Sequence, residues 1–148
     1  MVEIIRLKNY TPEIADAMRA LMIELSRSGK DKGEIPETWF TEVIDSPWHD
    51  VLLAVEDGQV LGMATVSIIM GVGIRKNAYL EDFVVTERAR GKGVSTLLWE
   101  EMLKWAKEKG AKRFEFTCGQ GRDAAHAFYH KHGATIYETD FFRYIIEE

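Results

Sequence analysis

The stretch that decides the fold is L-E-D-F-V-V-T-E-R-A-R-G-K-G-V-S-T-L-L, residues 80–98. Its apolar start belongs to a strand predicted over residues 79–85, and its end begins a helix predicted over residues 93–109. Residues 113–118, R-F-E-F-T-C, predict a strand directly after that helix. Strand, helix and strand in this order indicate a right-handed βαβ crossover, in which the two strands lie parallel in one sheet.

The loop between this strand and this helix has the composition of an anion-binding site. Gly91 and Gly93 let backbone N–H groups converge on a ligand, and the helix start adds N–H groups that lack a partner within the helix. Arg88, Arg90 and Lys92 add positive charge. The combination predicts a phosphate or pyrophosphate site, and the alternative is a glycine turn with a solvated basic rim. The spacing is neither that of a P-loop nor that of a Rossmann fingerprint.

Outward from this stretch, strands and helices follow one another without a linker. Before it we predict a strand (2–8), two helices (from Thr11-Pro12, and 36–44) and a hairpin of strands 51–56 and 59–70 around Asp57-Gly58. After the crossover we predict a helix (122–132) and two strands (135–138 and 141–146). The order βααβββαβαββ predicts an α/β fold, a mixed sheet flanked by helices, in a single domain of residues 1–148.

Composition narrows the possible partners. The chain has 148 residues and a formal net charge of −5, so it has no electrostatic reason to bind nucleic acid. The N-terminus does not have the pattern of a signal peptide, and the uncharged stretch 60–74 is too short to span a bilayer. A single cysteine, Cys118, fits a reducing compartment. We therefore expect a cytoplasmic protein that does not associate with membranes.

The glycine loop also matches a known signature. Residues 88–93 read Arg-Ala-Arg-Gly-Lys-Gly and fit the pattern Q/R-x-x-G-x-G/A fully. Residues 90–95 fit as well, with Ser95 where glycine or alanine is usual. In this loop the chain resembles the GNAT superfamily of N-acetyltransferases, in which the pattern is the acetyl-CoA signature.

A second segment strengthens the resemblance. Residues 122–134, R-D-A-A-H-A-F-Y-H-K-H-G-A, are similar to the family segment A-x-x-F-Y-x-x-x-G-F. The departures are Arg122, where the family often has asparagine, and Ala134, where a phenylalanine is usual. The two segments lie in the family's order, and the predicted elements match the family fold along essentially the whole chain. The resemblance implies transfer of an acetyl group from acetyl-CoA to a primary amine of a small molecule.

The resemblance also implies which residues hold acetyl-CoA. The loop would bind the pyrophosphate, and the backbone of the preceding strand would bind the pantetheine arm and polarise the thioester carbonyl. No metal is expected. The implied cofactor-binding residues are Phe83, Val84, Val85, Arg88, Arg90, Gly91, Lys92, Gly93, Val94, Ser95 and His126.

Three residues are candidates for the proton transfers. The substrate ammonium must lose a proton before it attacks, and we favour Glu81 as the base, directly or through a water. Asp82 is the close alternative, because a bulge would change which of the two faces the substrate. Tyr129 is the candidate acid for the departing thiolate. Each has a structural alternative: salt bridges or backbone contacts for the carboxylates, and packing beside Phe128 for the tyrosine.

Several further assignments stay open. Trp39, Phe40, Trp48 and Tyr79 would line an acceptor pocket or belong to the core, and residues 31–34 are expected as a mobile loop over the site. The acceptor is a small amine or, alternatively, a peptide, and a non-catalytic acetyl-CoA sensor is a third possibility. Residues 135–146 would pair across a homodimer.

Overall fold

The computed structural model describes residues 1–73 and 75–147, which form two compact units, residues 1–116 and 117–147. Among these residues the first unit contains five strands and three α-helices, and the second contains one α-helix. In chain order the elements are β1 (Glu3–Arg6), α1 (Pro12–Leu25), α2 (Glu37–Asp45), β2 (His49–Glu56), β3 (Gln59–Ile69), β4 (Asn77–Val85), α3 (Val94–Glu108), β5 (Arg113–Glu115) and α4 (Asp123–Lys131).

The five strands form one mixed sheet in the order β1-β2-β3-β4-β5. The first four pair antiparallel, and β4 and β5 pair parallel across the crossover helix α3. The predicted fold class and the predicted parallel pairing of the two strands are therefore confirmed. The β2–β3 hairpin turns at Asp57 and Gly58, with φ of 51° and 76°, and aspartate and glycine are two of the residues that adopt this left-handed conformation most readily.

Helices cover both faces of the sheet, as the alternation along β3 shows. Met63 lies in the core cluster that contains Met18 and Leu21 of α1 and Phe40 of α2. A Cβ added at the preceding residue, Gly62, would lie 3.0 Å from Cδ1 of Leu98 in α3. Because adjacent strand residues face opposite sides, α1 and α2 pack on one face and α3 on the other.

The start of α1 follows the predicted capping chemistry. Thr11 is the N-cap, its side-chain oxygen accepts a hydrogen bond from the Ile14 N–H at 3.2 Å, and proline follows at the first helical position. This start fixes the register in which α1 turns Ala15, Met18 and Leu21 toward the sheet.

The two last predicted strands are corrected by the structure. Within the part of the chain that is described, residues 135–138 and 141–146 form no strand, and β5 ends at Glu115 rather than at residue 118. Their side chains are exposed, 71% for Ile136 and 88% for Phe142. Alternation of apolar residues predicts which face a strand would bury, but a strand also needs a hydrogen-bonded neighbour, which the pattern does not supply.

Candidate active site

A bulge in β4 is the feature that shapes the site. Glu81 pairs with Thr65 and Val84 pairs with Met63, so two residues of β4 lie opposite one residue of β3. Asp82, inside the bulge, has φ of 53°. A left-handed conformation is uncommon outside glycine, although aspartate adopts it more readily than most residues. Bulges of this kind redirect a side chain and are frequent next to active sites.

The bulge determines how the two candidate carboxylates are oriented relative to a cavity. Asp82 lines a cavity, and its Oδ2 accepts a hydrogen bond from the Thr65 hydroxyl at 3.2 Å. Glu81 pairs with the same threonine, so it lies on the same face of the sheet, but its side chain is exposed and is not among the residues described as lining the cavity. The sequence favoured Glu81, whereas the geometry brings Asp82 into the cavity.

The pKa values of both carboxyl groups are raised. For Asp82 burial is the main cause, and the Thr65 hydrogen bond and the positive charge of Lys32 oppose it. For Glu81 burial is again the main cause, and the negative charge of Asp82 adds to it. A raised pKa brings a carboxylate nearer to the operating pH, which makes it a more effective proton acceptor.

The cavity has a volume of about 370 Å³ and lies between α1, α2, the strands β2, β3 and β4, and the segment of residues 30–36, which we call the strap. Trp39 and Phe40 belong to its wall, as one of the sequence alternatives predicts, whereas Trp48 and Tyr79 are not among the described lining residues. Its apolar lining residues are Met18, Met22, Ile23, Ile35, Pro36, Trp39, Phe40, Val43, Val51 and Met63.

The strap is tied to α1 by a charged pair. Arg19 donates to both carboxylate oxygens of Asp31, with its shortest hydrogen bond at 2.7 Å. Asp31 Oδ1 also accepts from the Gly33 N–H at 2.9 Å. The Arg19 hydrogen bond is the main cause that lowers the pKa of Asp31. Residues 31–34, which the sequence predicts as a mobile loop, therefore make a charged contact with α1 at the wall of the cavity.

The glycine loop follows β4 at the end of the sheet. A 3-10 turn, Glu87–Ala89, leads into it, and Gly91 and Gly93 have φ of 81° and 79°. A Cβ at either position would meet no atom within 4 Å. The glycines are thus required by the left-handed backbone, and the space in front of them is open to a ligand.

The start of α3 presents positive potential to this space. Gly93 caps the helix without a side-chain acceptor, and the first turn has no acidic residue. Val94 is buried and anchors the turn, while Ser95 is half-buried. The basic side chains Arg88, Arg90 and Lys92 are exposed and take part in none of the ion pairs found among the described residues. Unpartnered helical N–H groups and free cations suit a phosphate-bearing ligand.

Glu24 positions this loop, and sequence reasoning missed it. Its carboxylate accepts from the Thr86 hydroxyl at 2.9 Å and from the Glu87 N–H at 3.0 Å. Glu24 lies near the end of α1, about 60 residues before the loop. Nothing in a local pattern marks a contact of this range. Thr65 and Lys32, which act on Asp82, were missed for the same reason.

The ladder between β4 and β5 ends before the bulge. Their ladder consists of Asn77, Ala78 and Tyr79 paired with Arg113, Phe114 and Glu115. The residues 80–85 of β4 extend past the end of this ladder, toward the glycine loop. The candidate pantetheine-binding residues, Phe83, Val84 and Val85, lie in this extension.

A bulged strand leads here into a basic glycine loop, the segment in which the sequence resembles the GNAT signature. The model of the acetyltransferase (GNAT) family matches residues 16–134 of the chain. The chain belongs to the GNAT family. It is therefore an acyltransferase, an enzyme of the class that moves acetyl groups.

Solved structures share the GNAT fold along nearly the whole chain. An aminoglycoside acetyltransferase from an uncultured soil metagenomic sample has a TM-score of 0.83 and 19% identity, over 99% of this chain and 97% of that one. A transcriptional regulator from Bacillus halodurans C-125 has a TM-score of 0.82 and 19% identity, over 98% and 100%. An integron cassette protein from the mobile metagenome of V. cholerae has a TM-score of 0.74 and 24% identity, over 97% and 92%. No curated protein matches the sequence significantly.

The second unit of this GNAT chain carries the remaining candidates. Burial raises the pKa of Tyr129 to about 12, with a further increase from Cys118 and an opposing effect of Arg122. The phenol therefore stays protonated at neutral pH. His126 Nε2 lies 3.0 Å from the carbonyl oxygen of Gly119, so any contact with a cofactor would fall to its other ring nitrogen.

Two further properties hold for the described residues. No group of three or more His, Cys, Asp or Glu side chains is arranged there to bind a metal ion. None of the described helices combines the length and the apolar character that crossing a bilayer requires.

Proposed function

We propose that the enzyme transfers an acetyl group directly from acetyl-CoA to a primary amine of a small molecule. The observation that carries this proposal is the placement of Asp82. Its carboxylate, with a raised pKa, lines a cavity of about 370 Å³, and it belongs to the strand that continues into the basic glycine loop. An amine held in this cavity would have a proton acceptor beside it.

The residues at the glycine loop fit acetyl-CoA. The open space before Gly91 and Gly93 leaves room for the pyrophosphate, and Arg88, Arg90 and Lys92 would balance its charge. Val94 and Ser95 would hold the helix start in place, and the backbone of Phe83, Val84 and Val85 would orient the pantetheine arm. His126 would contribute through Nδ1. When bound, acetyl-CoA supplies the thioester that the amine attacks.

We propose Asp82 as the general base and Glu81 as the alternative. A substrate ammonium has a pKa near about 10 and is mostly protonated at neutral pH. Asp82 would accept that proton from the amine, and the Thr65 hydroxyl would hold the carboxylate in position. Glu81 is more exposed, so its route to the amine would require a water.

Tyr129 is the proposed general acid. Its pKa of about 12 keeps the phenol protonated, so a proton is available for the thiolate that leaves when the acetyl group has been transferred. The nitrogen loses a second proton as the amide forms, and that proton would restore the Tyr129 phenol, while Asp82 would release the proton of the ammonium to solvent.

Two alternatives from the sequence are less well supported. A peptide acceptor requires an open groove, whereas the strap lies along this cavity and is tied to Arg19. A non-catalytic sensor would not need a carboxylate with a raised pKa in an acceptor cavity. A homodimer and a cytoplasmic location stay predictions from the sequence.

The test is an assay of thiol release from acetyl-CoA with a panel of small primary amines and a panel of peptides. For the preferred amine we expect Asp82→Asn to lower kcat by about 10²- to 10⁴-fold, Tyr129→Phe by a comparable factor, and Glu81→Gln by less than about tenfold. Binding of acetyl-CoA without turnover of any amine would favour the sensor, and turnover of peptides alone would favour the peptide enzyme.

A further inference from the structure

The apolar wall of the cavity indicates which kind of acceptor it can hold. The apolar side chains of Met22, Ile23 and Val43 line it beside the buried Met63. Trp39, also in the wall, keeps 66% of its surface exposed. A ligand that covers a large exposed aromatic ring beside an apolar cavity removes apolar surface from water, and this makes its binding more favourable. The cavity therefore favours an acceptor with an apolar body.

The charges in the wall do not favour a polycation. Six charged side chains line the cavity, three of each sign, but Asp31 is held by Arg19, and Glu34 is 87% exposed and 4.0 Å from the same guanidinium. Asp82 is the one carboxylate among the described lining residues that lies inside, and Lys32 already acts on it. A second ammonium group held inside the cavity would lie against apolar side chains without a carboxylate partner, which is unfavourable.

We propose that the acceptor is a primary monoamine on an apolar body, an arylalkylamine or a branched alkylamine, rather than a polyamine or an aminoglycoside. The inference rests on the proposed function and specifies its substrate class. The amine is placed at Asp82, and the apolar body lies against Met22, Ile23 and Trp39. An apolar wall also lowers the pKa of a bound ammonium, which helps the amine to become neutral before attack.

Ile23 allows this to be tested without disturbing the core. It lines the cavity and is half-buried, but it is not among the residues of the core cluster or those packed against it. Ile23→Glu introduces a second carboxylate into the wall, and Ile23→Leu is the matched apolar control.

The experiment measures kcat/KM for 2-phenylethylamine and 3-methylbutylamine against spermidine and sisomicin, with acetyl-CoA held in excess. We expect the wild type and Ile23→Leu to prefer the monoamines by about tenfold or more, and Ile23→Glu to lose most of that preference. Acetyl-CoA affinity, measured separately, should be unchanged in both variants, which shows that they are folded.

Two results would overturn the inference, and they are distinguishable. Equal or better turnover of spermidine or sisomicin by the wild type would reject the apolar monoamine but leave the acetyltransferase proposal intact. Absence of turnover with every amine, while acetyl-CoA binds, would reject the proposed function and the inference together.

Discussion

At the scale of single residues, Asp82 combines two features that are unfavourable for folding. Its backbone is left-handed, and its carboxylate is desolvated enough to raise its pKa. Both cost folding free energy, and neither is needed to pack the sheet. Such a residue is expected where a proton acceptor has to be presented to a ligand rather than to water.

The desolvated charge predicts a stability effect that depends on pH. A carboxyl group whose pKa is raised in the folded state removes stability as the pH rises from its ordinary value, 3.8, through the raised value. Asp82→Asn keeps the shape, tolerates the left-handed backbone and removes the charge. We expect this variant to have a higher Tm than the wild type at pH 7.5. The difference in Tm should vanish at low pH, where the wild-type carboxyl group is protonated in both the folded and the unfolded protein.

Asp57→Asn is the matched control for this measurement. Asp57 also has a left-handed backbone, with φ of 51°, but its side chain is exposed. That variant measures how the same substitution at a left-handed position changes Tm at the two pH values. A gain at Asp82 that is the same at both pH values would contradict a desolvated carboxylate and indicate a backbone effect.

The residues that sequence reasoning identified are those whose function is marked by their neighbours along the chain. Gly91 and Gly93 lie among three cations at a helix start, and this local pattern is enough to predict an anion site. The choice between Glu81 and Asp82 depended on a bulge, and a bulge arises from pairing with another strand. Glu24 belongs to a distant helix and has no local signature.

At the scale of elements, β4, the glycine loop and α3 were predictable because each is specified by its own residues. The extent of β5 and the segment 135–146 were not, because strand formation requires a partner. The position at which the β4–β5 ladder ends, after Tyr79, likewise depends on both strands.

The packing of β3 against α3 also depends on two elements, and Gly62 marks the contact. A Cβ at this position would lie 3.0 Å from Leu98 Cδ1, 3.1 Å from the Val84 carbonyl oxygen and 3.1 Å from Val85 Cγ2. Because Leu98 is fully buried and one of the contacts is backbone, the added methyl group has no easy accommodation. We expect Gly62→Ala to lower the free energy of unfolding by about 1–3 kcal/mol in urea denaturation.

Gly73→Ala controls for the substitution itself. A Cβ at Gly73 would meet no atom within 4 Å, and the residue is not among the glycines with positive φ. Its free energy of unfolding should stay within about 0.5 kcal/mol of the wild type. Equal effects of the two variants would contradict close packing of β3 on α3.

At the scale of the whole molecule, we propose that residues 1–148 fold as a single domain. The family model spans residues 16–134 and so crosses the boundary between the two compact units at residues 116 and 117. The order of elements predicted an α/β fold, the glycine loop predicted an anion-binding site, and the resemblance to the GNAT superfamily implied an enzyme. The residues that line the cavity lie at separate positions between residues 18 and 82, and composition does not predict that they come together.

Unfolding tests the single domain with two natural reporters. All four tryptophans, Trp39, Trp48, Trp99 and Trp105, lie in the first unit, and the one cysteine, Cys118, lies in the second. We expect tryptophan fluorescence and labelling of the Cys118 thiol to report the same urea midpoint, because a single domain unfolds cooperatively. Two separate midpoints would show that the units unfold independently.

The central claim is that the basic glycine loop binds acetyl-CoA, and calorimetric titration of acetyl-CoA tests it most directly. We compare the wild type with Gly93→Glu and with the control Gly29→Glu, which adds the same charge at another exposed left-handed glycine. The φ angle is 65° at Gly29 and 79° at Gly93, and an added Cβ would meet no atom within 4 Å at either position. A carboxylate at the start of α3 should repel the pyrophosphate. We expect the wild type and Gly29→Glu to bind acetyl-CoA, and binding by Gly93→Glu to be weakened by more than about tenfold. Failure of the wild type to bind, or equal binding by all three proteins, would contradict it.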